Sequence, residues 1–362
     1  MQQTVQIKNK ERESNIELCR LACMFYIVVY HLFIHNLDVT GGAYYSKALT
    51  TIFSIGVPVF VMISGYFKIK ATVKGFLSIV SQVVFYSVIA DLVCVLIFRE
   101  TLNIGNVLST FFPVTKTEYW FVKTYLLLYL LSPFVNRLLQ YFTKKEFLIF
   151  LATLTLLVCY GGGVMNRWES DYGDRSIMTF AYFYSIGCFI REYGPDISLP
   201  MTVKKYSPWL VYIVVMVVFF TMVSFIPGII GKGVNFLARS YNTIGIMFFS
   251  VLFFLCFKNL KLQKRWINSL AKSTFAIYLI HGNNIVTYHR WIYDPYTKYG
   301  VLIENIHLKF IYLLAVAFAI CVGCIIIDQI RRLIFKYLGV EYIIDKTDLF
   351  FRNKLARYNI SK

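Results

Sequence analysis

Apolar runs, each closed off by a short polar or charged stretch, recur along the whole chain. A helix needs about 20 such residues to cross the hydrocarbon core of a bilayer. Runs of that order lie near residues 17–36, 50–67, 75–98, 120–139, 147–165, 177–193, 208–226, 238–257, 271–291 and 308–330. The pattern predicts an all-α integral membrane protein with about ten transmembrane helices, the second and sixth being the shortest. Pro58 and Pro133 fall inside runs, where neighbouring helices and polar side chains can satisfy the freed backbone groups. The polar start, Met1 to Ser14, enters the first run with no small-residue cleavage site, so that run reads as a retained helix rather than a signal peptide. The predicted organisation is a cytoplasmic N-terminal segment 1–16, a membrane domain 17–330 and a basic cytoplasmic tail 331–362. No intervening loop exceeds about 20 residues, so chemistry belongs within the helices or at their mouths.

Composition sharpens this. Of 362 residues, 58% are hydrophobic and 15% charged, against roughly 45–50% and about 25% in a soluble domain. That balance excludes a soluble enzyme and a disordered chain. The net charge of +18 does not indicate nucleic-acid binding, because the basic residues are scattered between apolar blocks. With the N-terminus inside, 25 of the 37 Lys and Arg fall on the cytoplasmic side and 10 outside, while Arg20 and Lys123 sit within span ends. This is the sense of the positive-inside rule, and it predicts that both termini are cytoplasmic and that the loops near Asp38, Asp171 and Asp294 face outward. Trp120, Trp168, Trp209, Trp266 and Trp291 each fall at a proposed border, where an amphipathic ring prefers the headgroup level. All eight cysteines lie in or beside apolar stretches and read as small hydrophobes. Cys321 and Cys324 form a C-x-x-C without a second ligand pair, so neither a metal centre nor a disulfide is expected.

An ionisable group inside a membrane is costly unless neutral, paired or near water, which makes the first run informative. Glu17, Arg20, His31 and His35 share one helical face; Arg20 and His31 are eleven residues apart, about three turns and ~16 Å of rise. Plainer readings exist. Arg20 could snorkel and pair with Glu17, His31 could be a neutral histidine bonded between helices, or the polar stripe could line a transport pathway. A His31–His35 metal site lacks a third ligand in this run. His281 lies about as deep in the ninth run as His31 does in the first, and both runs point outward, so the two imidazoles can meet in a common cavity. His289 and His307 read as loop or interface residues. No Gly-x-Ser-x-Gly elbow is present.

An arginine and a histidine separated by ten residues in the first run resemble the signature of the membrane-bound acyltransferase 3 family. Three more segments are similar: Val57-Pro58 through Ser64-Gly65-Tyr66-Phe67, Tyr119-Trp120-Phe121 through Ser132-Pro133, and Ile277-Tyr278-Leu279-Ile280-His281. The resemblance covers about residues 15–290. It implies a ten-helix core and catalytic roles for Arg20, His31 and His281. Glu17, Ser64, Tyr66, Trp120, Lys123 and Tyr278, polar or aromatic residues of these segments, are candidates for substrate binding. The implied function is an O-acyltransferase, an O-acetyltransferase by expectation, in the inner membrane of a bacterium. It would move an acyl group from acyl-CoA to a hydroxyl of a surface polysaccharide or its lipid-linked precursor. Histidine is the natural base for that transfer near neutral pH, acting directly or through an acyl-histidine. The implied partners are the acyl-CoA donor, the glycan or lipid-linked sugar acceptor and the bilayer, with no bound cofactor, metal or nucleic acid. The alternative is a transporter or flippase for a polar metabolite or glycan that uses the same buried groups as a pathway.

Overall fold

The computed structural model describes residues 12–35, 51–101, 105, 111–112, 119–164, 173–194, 208–225, 240–287 and 289–360. Trp168, Asp38 and Asp171 lie outside them. Among the described residues the secondary structure is helical, with no strand. The helices are α1 (Ser14–Ile34), α2 (Gly56–Phe67), α3 (Val73–Phe98), α4 (Trp120–Gln140), α5 (Lys144–Thr155, continued by a π-helical stretch Leu156–Val164), α6 (Ile177–Tyr193) and α7 (Pro208–Phe225). There follow α8 (Ile244–Lys258), α9 (Arg265–Leu270), α10 (Thr274–His281), α11 (Asn284–Thr287), α12 (Tyr293–Gly300), α13 (Ile306–Tyr337) and α14 (Val340–Ile360). By length and composition α1, α3 and α13 can cross a membrane; α2, α8 and part of α7 are shorter apolar helices.

The first helix is the axis of the fold. It packs against α2, α8, α9, α10 and α13, and Ile16, Cys19, Cys23, Met24, Val28, Val29 and Leu32 are at most 2% exposed. Helices on the perimeter instead expose large apolar side chains, including Leu92, Leu96 and Ile97 on α3, and Ile311, Phe318 and Ile326 on α13. Such continuous apolar faces suit hydrocarbon, not water. The two chemistries of the sequence thus separate: the polar stripe of α1 turns inward and the greasy faces outward.

Small residues set the tightest pairing, between α2 and α6. A side chain at Gly65 would run into the backbone carbonyl of Tyr184, and one at Gly187 into that of Met62. Small residues allow this approach in membrane bundles, and Cys188 Sγ donates to the Gly65 carbonyl at 3.2 Å. The interior proline of α4 is also accommodated locally. Pro133 has no N–H for the Tyr129 carbonyl four residues back, and Ser132 Oγ donates to that carbonyl at 2.8 Å instead.

The ninth apolar run departs from the expected single helix. Preceded by α9, it is divided into a 3-10 turn Ala271–Ser273, α10 and α11. At its outer break the Gly282 amide closes α10 on the Tyr278 carbonyl, and Asn283 Oδ1 accepts from the Val286 amide to start α11. Local polar side chains here compete successfully with helix continuation. The consequence is functional, because His281 becomes the last residue of a short helix aimed at α1.

Candidate active site

Three groups of side chains converge on α1. The first is a histidine pair. His31 comes from α1 and His281 from the end of α10, with His31 Nδ1 and His281 Nε2 3.0 Å apart and ring centroids separated by 5.1 Å. His281 Nδ1 lies 2.6 Å from the Ile277 carbonyl. A carbonyl can only accept, so His281 Nδ1 carries hydrogen; in neutral His281, Nε2 is then an acceptor. His31 Nδ1 must therefore donate to it, which leaves the lone pair of neutral His31 on Nε2. Tautomers are assigned here from the hydrogen-bond network. His281 is 2% exposed, whereas His31 is half-buried. Val28, Leu32, Val286, Ile292, Tyr293 and Ile320 surround the pair, and among the described residues they leave no room for a water molecule there. His35, one turn on, stacks on Tyr293 with centroids 4.9 Å apart, outside the pair.

The second group lies at the other end of α1. Glu17 is 4% exposed and is faced by Arg12 at 3.6 Å and Arg20 at 3.4 Å. Arg20 lines a cavity of about 300 Å³ together with Arg12, Lys272, Ser64, Tyr125 and Thr274. Ser64 Oγ and Tyr125 Oη are 3.2 Å apart on its wall. The Arg20 Nε is buried without a hydrogen-bond partner among the described residues, so Glu17 does not exhaust this guanidinium. Arg20 also sits 5.8 Å from the Phe60 ring centroid. From there aromatic rings continue toward the histidines: Phe60 to Phe121 at 5.8 Å, Phe121 to Tyr278 at 5.4 Å, and Tyr278 to His281 at 6.2 Å.

The third group is an aromatic platform. Trp120 stacks with Tyr241 at 6.1 Å, and the Arg175 guanidinium sits 4.8 Å over the Trp120 ring. Thr124 Oγ1 fixes the Arg175 backbone by donating to its carbonyl at 3.0 Å. Arg175 lies within electrostatic reach of His31 and of Tyr30. Tyr119 Oη donates to the Leu279 carbonyl at 3.1 Å, joining this platform to α10. The Tyr278 hydroxyl is buried with no hydrogen-bond partner among the described residues.

The structure therefore gathers His31, His281 and Tyr278 at one level, Arg20, Glu17 and Ser64 at another, and Trp120 beside Arg175. It does not bring in the other two candidates. Tyr66 belongs to a separate cluster, where its hydroxyl lies 3.4 Å from Glu13 and Arg191 covers its ring at 4.8 Å. Lys123 is turned outward on the exposed face of α4 that also carries Leu127, Leu130 and Phe134. Tyr125, about 200° round α4 from it, faces the cavity instead. Arg12, Lys272, Arg175 and Tyr241 escaped the sequence reading, because charge segregation fully accounted for the three cations and nothing marked Tyr241.

Comparison with protein families gives a match to an acyltransferase domain over residues 13–328. The chain belongs to the acyltransferase 3 family. It is accordingly a membrane acyltransferase, and the matched region runs from the start of α1 into α13, enclosing the three groups of side chains apart from Arg12. Comparison with curated proteins and with solved structures returned no similar chain. The transport alternative loses its footing with this assignment.

Proposed function

We propose that this acyltransferase moves an acetyl-class acyl group from acyl-CoA to a hydroxyl of a surface glycan or its lipid-linked precursor, with His31 as the general base. The observation that carries the reading is the directed chain from the Ile277 carbonyl through His281 to His31, which leaves an unprotonated Nε2 on the half-buried ring. His31 Nε2 takes the acceptor hydroxyl proton as that oxygen attacks the thioester carbonyl. The new ester C–O bond forms, the C–S bond breaks, and the proton passes to the departing thiolate. His281 touches neither reactant; it is a positioning residue that fixes the His31 tautomer and stabilises the imidazolium formed during transfer. The apolar side chains around the pair disfavour water beside His31, where it would compete with the acceptor hydroxyl.

The remaining groups divide the two substrates. The cavity with Arg12, Arg20 and Lys272 offers three cations and several hydroxyls to the phosphates of the donor. The aromatic wall from Phe60 to Tyr278 suits the thioester arm on its way to His31. Trp120, Tyr241 and Arg175 form a platform against which an acceptor sugar can stack. In this reading the Arg20 end of α1 is cytoplasmic, the chain makes about ten passes of a bacterial inner membrane, and both termini are inside. The charge distribution supports that orientation. Acyl transfer from acetyl-CoA in membranes bearing wild type or His31→Ala tests the assignment, with loss of product expected for the variant at an unchanged protein level.

A further inference from the structure

Away from the histidine pair, three side chains of metal-binding character meet where α3 ends. We infer that Cys94, Glu100 and His289 form a binding site for a divalent transition metal of the zinc class, tying α3 to the segment that follows His281. The sulfur of Cys94, a carboxylate oxygen of Glu100 and a ring nitrogen of His289 all lie within 4.8 Å of one another. Zinc bonds of about 2.0–2.3 Å place the ligand atoms of a tetrahedron roughly 3.3–3.8 Å apart, so only a small closure is needed. His289 Nε2 and Glu100 Oε1 are already 2.9 Å apart.

Distant parts of the chain are bent to make this meeting. After Phe98 the backbone of Arg99 turns left-handed at φ 55°, and the Glu100 amide returns to the Cys94 carbonyl at 3.3 Å. That turn folds the Glu100 side chain back over the last turn of α3. On the other side of the site, Arg290 is also left-handed at φ 52°, immediately after His289. The His289 ring is held flat on Phe98, with centroids 3.8 Å apart and planes 9° from parallel. Cys94 is 3% exposed in an apolar shell with Ala90 and Ile285, flanked by Val93 and Phe98.

The ligand chemistry sets the metal class. A thiolate, an imidazole and a carboxylate together favour zinc-like ions over magnesium or calcium, which prefer oxygen alone. Three protein ligands leave a fourth position for water. The plain alternative is a His289–Glu100 ion pair with Cys94 as a nearby small hydrophobe. Placement gives the site a purpose: α11 packs on α3 and begins three residues after His281. A bound metal would brace the break that aims His281 at His31.

Cobalt(II) tests this on the purified full-length protein in detergent after chelator treatment. We expect one equivalent bound, with a thiolate-to-cobalt charge-transfer band and the intense visible absorption of a tetrahedral ion, and displacement by zinc. Cys94→Ser should abolish the charge-transfer band, and His289→Gln and the surface change Glu100→Gln should each weaken binding at least about tenfold. The double variant Cys321→Ser/Cys324→Ser should bind as wild type does. Failure of wild type to bind cobalt, binding without the charge-transfer band, binding unaffected by Glu100→Gln and His289→Gln, or binding lost with Cys321 and Cys324 would each overturn the site.

Discussion

Replacing His281 by alanine isolates the contribution of the second histidine. The change removes the acceptor 3.0 Å from His31 Nδ1 and leaves that N–H without its partner. A buried donor left unpaired costs about 1–3 kcal/mol. If that cost is felt in the transition state, where His31 becomes a cation, turnover falls roughly 5–150-fold at 1.36 kcal/mol per decade. If the freed imidazole adopts the other tautomer, the lone pair moves away from the acceptor hydroxyl. The loss then approaches the ~10⁴-fold seen when a catalytic triad loses its correct histidine tautomer.

His281→Gln separates positioning from simple packing. Its side-chain oxygen can stand near the former Nε2 and accept from His31, so turnover should return to within roughly tenfold of wild type. The assay is acyl transfer from acetyl-CoA in membranes at matched protein levels, read as kcat and as KM for each substrate. We expect kcat to move while the donor KM stays near wild type, because the Arg20 cavity is untouched. Normal turnover by His281→Ala, or equal losses in the alanine and glutamine variants, would refute the tautomer argument.

Arg20→Lys keeps a charge but loses the planar fork, so the donor KM should rise, and Arg20→Ala should raise it further; steady-state kinetics with varied acetyl-CoA checks this, and an unchanged KM in both would return Arg20 to a snorkelling role. Trp120→Ala removes the ring beneath Arg175 and should weaken the acceptor, raising its KM without changing the donor KM. Gly65→Ala forces a methyl group against the Tyr184 carbonyl and should destabilise the fold by about 1–3 kcal/mol, seen as a lower thermal midpoint in detergent; an unchanged midpoint would mean that the α2–α6 contact yields freely.

The parts of this architecture that were legible in the sequence are those set by short-range pattern. The first apolar run gives α1 because its length and polarity settle it locally, and the Arg20 to His31 spacing places both groups on one helix. The run at 177–193 coincides with α6 for the same reason. The break of the run at 271–291 escapes the hydropathy pattern because the apolar residues on either side of His281-Gly282-Asn283-Asn284 read as one span, although that cluster carries a turn signal. The approach of Lys272 and Arg12 to Arg20, and of Arg175 to Trp120, was not legible. Each reads in sequence as one more cation at a membrane border; the packing of α1 brings Arg12 and Lys272 to Arg20, and α4 holds Arg175 over Trp120. Lys123 illustrates the converse: its segment supplies Trp120 and Tyr125 to the interior, but Lys123 stands in one row with Leu127, Leu130 and Phe134 on the exposed face of α4.

The most direct test of the central claim is the rate of acyl transfer from acetyl-CoA by His31→Ala, measured beside wild type in membranes containing equal amounts of folded protein. Loss of a well-placed general base costs about 10²–10⁴ in rate, and His31 is the residue whose free Nε2 the His281 contact prepares. The account predicts a fall of that size with the protein still inserted in the membrane. Near-normal transfer by His31→Ala would contradict it.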